Sequence, residues 1–253
     1  MKKGFVQTEN FRRLREAEKL VDQRGAIEAS LVLVRGVFGI GKSMLTERWA
    51  SDAGHIFIRA KETWTKHSML RDIAAKMGLP TDGNSSQVQD RIIGRLAVSM
   101  TPLIIDEADH LIPTSRVTRG SQRVAPMLEA VRDVTDITGV MCFLVGMQDF
   151  PTMVLQFDHI ASRVAHIVNL ERLSIEDVQA TVKAKAEIAM APEVVTAIHT
   201  QAKGRMRWVL GAITNIEAWA KANSWARVEA AHIKGRSLCT EFTSQSATSG
   251  KGL

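Results

Sequence analysis

Residues 31–43 read LVLVRGVFGIGKS. The four apolar residues Leu31 to Val34 have the bulk and length of a strand buried on both faces. A glycine loop follows directly, Gly36-x-x-x-x-Gly41-Lys42-Ser43, which is the spacing of a phosphate-binding loop. Gly36, Gly39 and Gly41 allow successive backbone N–H groups to turn inward onto a phosphate chain. Ile40 and Met44 complete the nucleotide-binding positions of the loop. Lys42 is placed to reach the β- and γ-phosphates, and Ser43 offers its hydroxyl to Mg²⁺. A helix starting at this point brings the positive end of its dipole to the same ligand. The expected ligand is ATP with Mg²⁺.

About 60 residues further on, Pro102–Leu103–Ile104–Ile105–Asp106–Glu107 runs from apolar residues into two carboxylates, the Walker B pattern. In a parallel sheet Asp106 sits at the carboxyl end of its strand, beside the phosphate loop. There it holds Mg²⁺, and Glu107 polarises an attacking water. The second carboxylate suits water as nucleophile and argues against a small-molecule kinase.

The segments between these motifs alternate. An amphipathic helix over residues 8–24 carries Phe11, Leu14, Ala17 and Val21 on one face, with Thr8 or Asn10 as its cap. A helix with Leu45 and Trp49 inward follows the loop, and His55–Ile58 reads as a second strand. The polar loop RAKETWTK leads to a helix ending at Gly78, and another helix runs from Ser86 to Leu96. Residues 113–123, PTSRVTRGSQR, place Arg116, Arg119 and Arg123 among small polar residues. A helix with Val124, Met127, Leu128 and Val131 inward precedes the strand VMCFLVG. A helix around Pro151–Gln156 and a fifth strand, VAHIVNL, complete the alternation. The pattern specifies an α/β layer fold with a mainly parallel five-stranded sheet.

From Ser174 the periodicity is helical throughout, giving a small all-helical part. SIED matches a capping box, Pro192 a first helical turn, Gly204 a stop, and a fourth helix is expected from Ser224. The expected division is a core over 1–172 with its N-terminal helix, a helical lid over 173–240, and a disordered tail over 241–253.

Bulk properties set the outer limits. The 253 residues, 45% hydrophobic, suit one large domain or a core plus a small one. Two cysteines, Cys142 and Cys239, form no metal or disulfide pattern, which fits a reduced cytoplasmic setting. The first residues lack an apolar signal core, and no stretch reaches the ~18 apolar residues of a membrane span. The net charge of +6 favours a polyanionic partner. Tyrosine is absent and aromatics are 5%, so platforms for stacking single-stranded bases are poorly supplied. The seven histidines show no ligand spacing.

An α/β nucleotide core followed by a helical lid resembles the AAA+ ATPases. Within that resemblance, Ser162–Arg163 ahead of the last core strand is similar to the arginine finger that serves a neighbouring subunit's γ-phosphate. Gly204-Arg205-Met206-Arg207 is similar to the sensor 2 segment, with Arg207 the residue that touches phosphates and Arg205 the reserve. Sensor 1 departs from the pattern: Gly146-Met147-Gln148-Asp149 stands where Asn or Thr is expected, with Gln148 the substitute. This departure implies hydrolysis that is slow or stimulated by a partner.

VQTENFRRLREAEKLV, FLVGMQDF, SRVAHIVNLERLS and GRMRW most resemble the transposition target-selection ATPases, typified by the phage Mu B protein and its TnsC and TniB relatives. That resemblance implies a homo-oligomer, ring or helical filament, which coats double-stranded DNA with little sequence preference and engages a transposase. It places the protein in a bacterial cytoplasm, or in the host cytoplasm of a phage. Arg59, Lys61 and Lys66 of the loop after the second strand would face DNA, together with Arg116, Arg119 and Arg123. Alternatives are a replication helicase loader or initiator, and a nucleotide-gated adaptor with little hydrolysis. A secretion ATPase of the ExeA type would call for a membrane span and a wall-binding domain.

Overall fold

The computed structural model of the protein describes residues 1–113 and 124–239. Strand β1 (Leu31–Arg35) forms on the apolar run, and its first four residues are fully buried. A strand buried on both faces needs a neighbour on each side and helices above and below. β1 pairs in parallel with β4 (Cys142–Gly146) on one side and β5 (Val164–Asn169) on the other. β4 pairs with β3 (Leu103–Asp106), and β3 with the edge strand β2 (Ile56–Arg59). The five strands are all parallel, in the order β2-β3-β4-β1-β5.

The register explains the two cores. Leu31 and Leu33 align with Cys142 and Leu144, and these with Leu103 and Ile105, so one face presents all six. That face packs against helices α3 (Lys66–Lys76), α4 (Ser85–Ser99), α5 (Pro126–Thr138), α6 (Phe150–Val154) and α7 (Asp158–Ala161). On the opposite face Phe143 meets Trp49 of α2 (Lys42–Ala53) edge-on at 4.7 Å. α1 (Glu9–Asp22) joins that layer through Glu18, whose carboxylate lies 2.7 Å from His55 Nε2. Each fully buried Leu, Ile or Phe contributes roughly 1.5–3 kcal/mol of transfer energy.

Two helix starts differ from the sequence reading. α4 begins at Ser85 because Asn84 and Gln87 form a reciprocal capping box, each side chain holding the other's backbone N–H at 3.0 Å. α5 begins with Pro126 at its first position, which leaves Val124 outside the helix and 66% exposed.

Gly146 closes β4 for a steric reason. A Cβ there would stand 2.4 Å from the ring of Phe150, which is fully buried. Gly146→Ala is therefore expected to destabilise the protein by about 1–3 kcal/mol through overpacking. A shift of the urea midpoint to lower denaturant measures it.

The chain divides into two compact units, Gln7–Arg172 and a second made of Met1–Val6 with the chain from Leu173 onward. The first is the sheet and its helices. The second contains α8 (Ile175–Lys185), α9 (Pro192–Ala202), α10 (Met206–Ala222) and the four-residue α11 (Ala230–Ile233) around Val178, Val194, Ile198, Val209, Ile213 and Ile216. Ser174 caps α8 by accepting from Asp177 N–H at 3.1 Å.

This second unit corrects the all-helical expectation. β6 (Ala189–Met190) and β7 (Arg227–Val228) form a two-stranded parallel ladder. Pairs of residues are too short to carry an alternating pattern, yet buried backbone groups must find partners. Helix from Ser224 onward is replaced by this strand and by α11, with Ser224 itself at φ 54°. The tail at 241–253 lies outside the described residues. Among the described residues no helix is long and apolar enough to cross a membrane.

Candidate nucleotide-binding site

The phosphate-loop residues gather at the carboxyl edge of the sheet. β1 ends at Arg35 and α2 starts at Lys42, so Gly36–Gly41 form the whole connection. Gly39 and Gly41 have φ of 79° and 92°, a region that favours glycine, and Gly41 is the N-cap of α2. Gly36 is fixed by close packing: a Cβ would lie 2.4 Å from Ile40 Cδ1 and 2.9 Å from the Leu170 carbonyl. Ile40 is buried with its Cδ1 against Gly36, while Met44 is exposed on α2. Ile40 thus offers the ligand side only its backbone. Ser43 stands in the first turn of α2, where N–H groups have no partner inside the helix.

Lys42 Nζ donates to the Gly36 carbonyl at 2.7 Å and the Val37 carbonyl at 3.3 Å. Burial pushes its ammonium below the ordinary lysine value, against the pull of Asp109, Asp106 and Glu107.

β3 delivers two of these acids. Asp106 and Val145 are register partners, as are Val145 and Val34, so Asp106 stands level with the end of β1, two strands away. At the usual strand spacing that is roughly 10 Å. Asp106 is 1% exposed. Glu107 follows at φ 54°, a backbone conformation uncommon for a residue with a side chain. It caps a 3-10 turn, Ala108–Leu111, and its carboxylate is half exposed. His110 Nε2 lies 3.6 Å from it.

Asp109 is the group that the sequence reading missed. Both its oxygens accept from the Met147 N–H, at 3.0 and 3.2 Å. Burial pushes its carboxyl above the usual range, against that hydrogen bond. The contact ties the turn after β3 to the loop after β4. Gln148 is exposed. The available signal was the third acid in Asp106-Glu107-Ala108-Asp109, too near the strand end to leave it.

Arg59 is a second surprise. Its Nε donates to Asp106 Oδ2 at 3.2 Å and lies 4.0 Å from Glu107. Lys61 pairs with Asp72 at 2.5 Å, and Lys66 opens α3. Arg116, Arg119 and Arg123 lie outside the described residues.

Arg163 stands at the other end of the sheet. Its carbonyl accepts from Leu31 N–H, at the amino end of β1. The length of β1, roughly 15 Å, separates it from its own phosphate loop. Its Nε donates to Asp136 at 2.9 and 3.1 Å. In the second unit, Arg207 is exposed on the first turn of α10, while Arg205 stacks on Trp208 at 4.5 Å.

Among the described residues no three acidic, histidine or cysteine side chains could hold a metal between them. Mg²⁺ takes one or two protein oxygens and completes its shell with phosphate and water. Asp106, buried at the strand end, and Ser43 are the two protein oxygens suited to it.

The family described as an AAA domain matches residues 26–154, half of the chain. No curated protein matches in sequence. Among solved structures, the Aeropyrum pernix ORC2 protein in its ADPNP–ADP complexes is similar, with TM-score 0.64, 16% identity, and coverage of 92% of this chain and 69% of that one. Cdc6p from Pyrobaculum aerophilum gives TM-score 0.64 at 11% identity, covering 90% and 66%. The Thermotoga maritima RuvB Holliday junction branch migration motor gives 0.58 at 14%, covering 90% and 68%. At these identities the likeness is one of fold.

Proposed function

This chain belongs to the AAA domain family, and on that footing we propose that it is an ATP-gated ATPase that assembles on double-stranded DNA. The observation that carries the reading is a glycine loop between β1 and α2, with Lys42 folded over its carbonyls and the buried Asp106 level with the end of β1 two strands away. In this reading the loop N–H groups and Lys42 hold the triphosphate. Ser43 and Asp106 hold Mg²⁺, which supplies charge neutralisation at the β- and γ-phosphate oxygens. Glu107 accepts a proton from the attacking water. Its backbone conformation turns the carboxylate out of the strand line and toward solvent, where water is available.

Arg163 takes the part of a finger for a neighbouring copy. Its place at the amino end of β1, a strand length from its own loop, supports that part, and its guanidinium pairs with Asp136. A homo-oligomer then completes each site from two copies. The net charge of +6 suits contact with phosphates without reading bases.

The task proposed for this assembly is transposition target selection, with a transposase as the partner that stimulates hydrolysis, on the motifs FLVGMQDF, SRVAHIVNLERLS and GRMRW. An initiator-type role is the second reading, favoured by the likeness in fold to the ORC2 and Cdc6p structures. Electron microscopy of the full chain with duplex DNA and a non-hydrolysable ATP analogue tests the shared core of both. Rings or filaments with the analogue and none without nucleotide are expected. Bare DNA in both conditions overturns the reading. Phosphate release with and without a transposase then separates the two tasks.

A further inference from the structure

The second compact unit carries an open cleft of about 480 Å³ between α9 and α11, a volume typical of binding sites. Ala197, Ala230, Ala231 and Ile233 give it a floor of small and apolar side chains. Glu193, in the first turn of α9, stands at one end. Gln201, about two turns further along the same helix, marks the other, roughly 12 Å away. There Lys234 and Arg236 complete the wall.

That wall is preformed. The Gln201 amide donates to the Arg236 carbonyl at 3.2 Å and accepts from the Leu238 N–H at 2.8 Å. Asn215 of α10 donates to the Leu238 carbonyl at 2.9 Å, and Leu238 is fully buried. The Arg236 guanidinium lies over the Trp219 ring at 4.9 Å, beside Trp225, which stacks on His232 at 4.1 Å. A guanidinium placed over a ring keeps its edge N–H groups for a planar anion such as a carboxylate.

Among the described residues Glu193, Lys234 and Arg236 are exposed and form no ion pair. The cleft therefore offers one unmatched anion and two unmatched cations on either side of an apolar floor. Duplex DNA fits it poorly, because phosphates would meet Glu193 and a floor without donors. An extended chain fits well: at about 3.3 Å per residue, roughly four residues span the cleft.

We propose that this cleft docks an extended peptide segment of a partner protein. Its basic side chain faces Glu193, its small side chains cover the alanines, and its carboxylate, about three residues from the base, faces Lys234 and Arg236. The two ends set direction and spacing, and the floor excludes bulky residues between them.

The test uses the full chain and an array of acetylated, amidated hexapeptides. Each carries one lysine and one glutamate among alanines and serines, at every spacing and in both orders. Binding is expected to peak at a spacing of about three residues, in one order only. Glu193→Lys, a surface change, should weaken the best peptide about tenfold and shift the preference to the same peptide with its lysine replaced by glutamate. Ala197→Trp, which fills the cleft, should abolish binding, and a thermal melt checks that each variant folds. Binding that ignores spacing, or an unaltered preference in Glu193→Lys, overturns the proposal. No peptide binding together with a loss of duplex binding in Lys234→Glu would make the cations a phosphate patch and also overturns it. So does a dimer, seen by size-exclusion chromatography, that Ala197→Trp abolishes while no peptide binds, since the occupant would then be a second copy.

Discussion

Lys42→Ala is expected to weaken ATP binding by about tenfold to a hundredfold and to leave the melting temperature close to wild type. The Lys42 ammonium is half buried and held over the loop by the Gly36 and Val37 carbonyls, and nearby acids favour its charged form against the burial. It is the positive charge built into the loop itself. Hydrogen bonds from a charged donor are worth about 1.5–3 kcal/mol each, which is one to two orders of magnitude in affinity. Stability should hold because Lys42 is the first residue of α2, where alanine is a good helix former. Removing the lysine also relieves it of its unfavourable burial. Isothermal titration with ATP and a thermal melt read both quantities. Unchanged affinity would remove the loop from the function, and DNA assembly indifferent to this substitution would remove ATP from its control.

Glu107→Gln should keep nucleotide binding and slow hydrolysis by about 10²–10⁴-fold, the range of a lost general base. The side chain is half exposed and makes no contact on which the core depends, so the amide fits the same space. Its φ of 54° is stored strain, of the kind that persists where the surroundings over-determine a functional residue. Single-turnover phosphate release gives the rate, and size-exclusion chromatography shows whether ATP-loaded oligomers accumulate. Normal turnover would exclude Glu107 from the reaction. The same variant tests Arg163. Arg163→Ala alone should lose hydrolysis, and mixing it with Glu107→Gln should restore part of it, because some mixed sites then combine an intact finger with an intact base. No recovery would make the Arg163–Asp136 pair purely structural.

The sheet and its glycine loop are legible in the chain because their causes are local. Leu31–Val34 and Leu103–Ile105 are runs that no single-faced element could bury, and Gly39 and Gly41 occupy backbone angles that other residues avoid. The β6–β7 ladder is illegible for the opposite reason. Two residues carry no period, and the pairing exists only because α8, α9 and α10 bring the two segments together.

The pairing of charges is likewise beyond the linear pattern. Arg59 reads from the chain as one more cation in a basic loop, yet it lies on Asp106, 47 residues away. Arg163 and Asp136 are 27 apart, and Asp109 finds the backbone N–H of Met147 38 residues away. Composition and spacing by themselves determine that this polypeptide makes a parallel nucleotide-binding sheet with its acids and glycines at strand ends. Only tertiary structure decides which acid meets which base. Strand register, fixed by burial on two faces, sets those partners, and a shift of one residue would point every side chain to the other side.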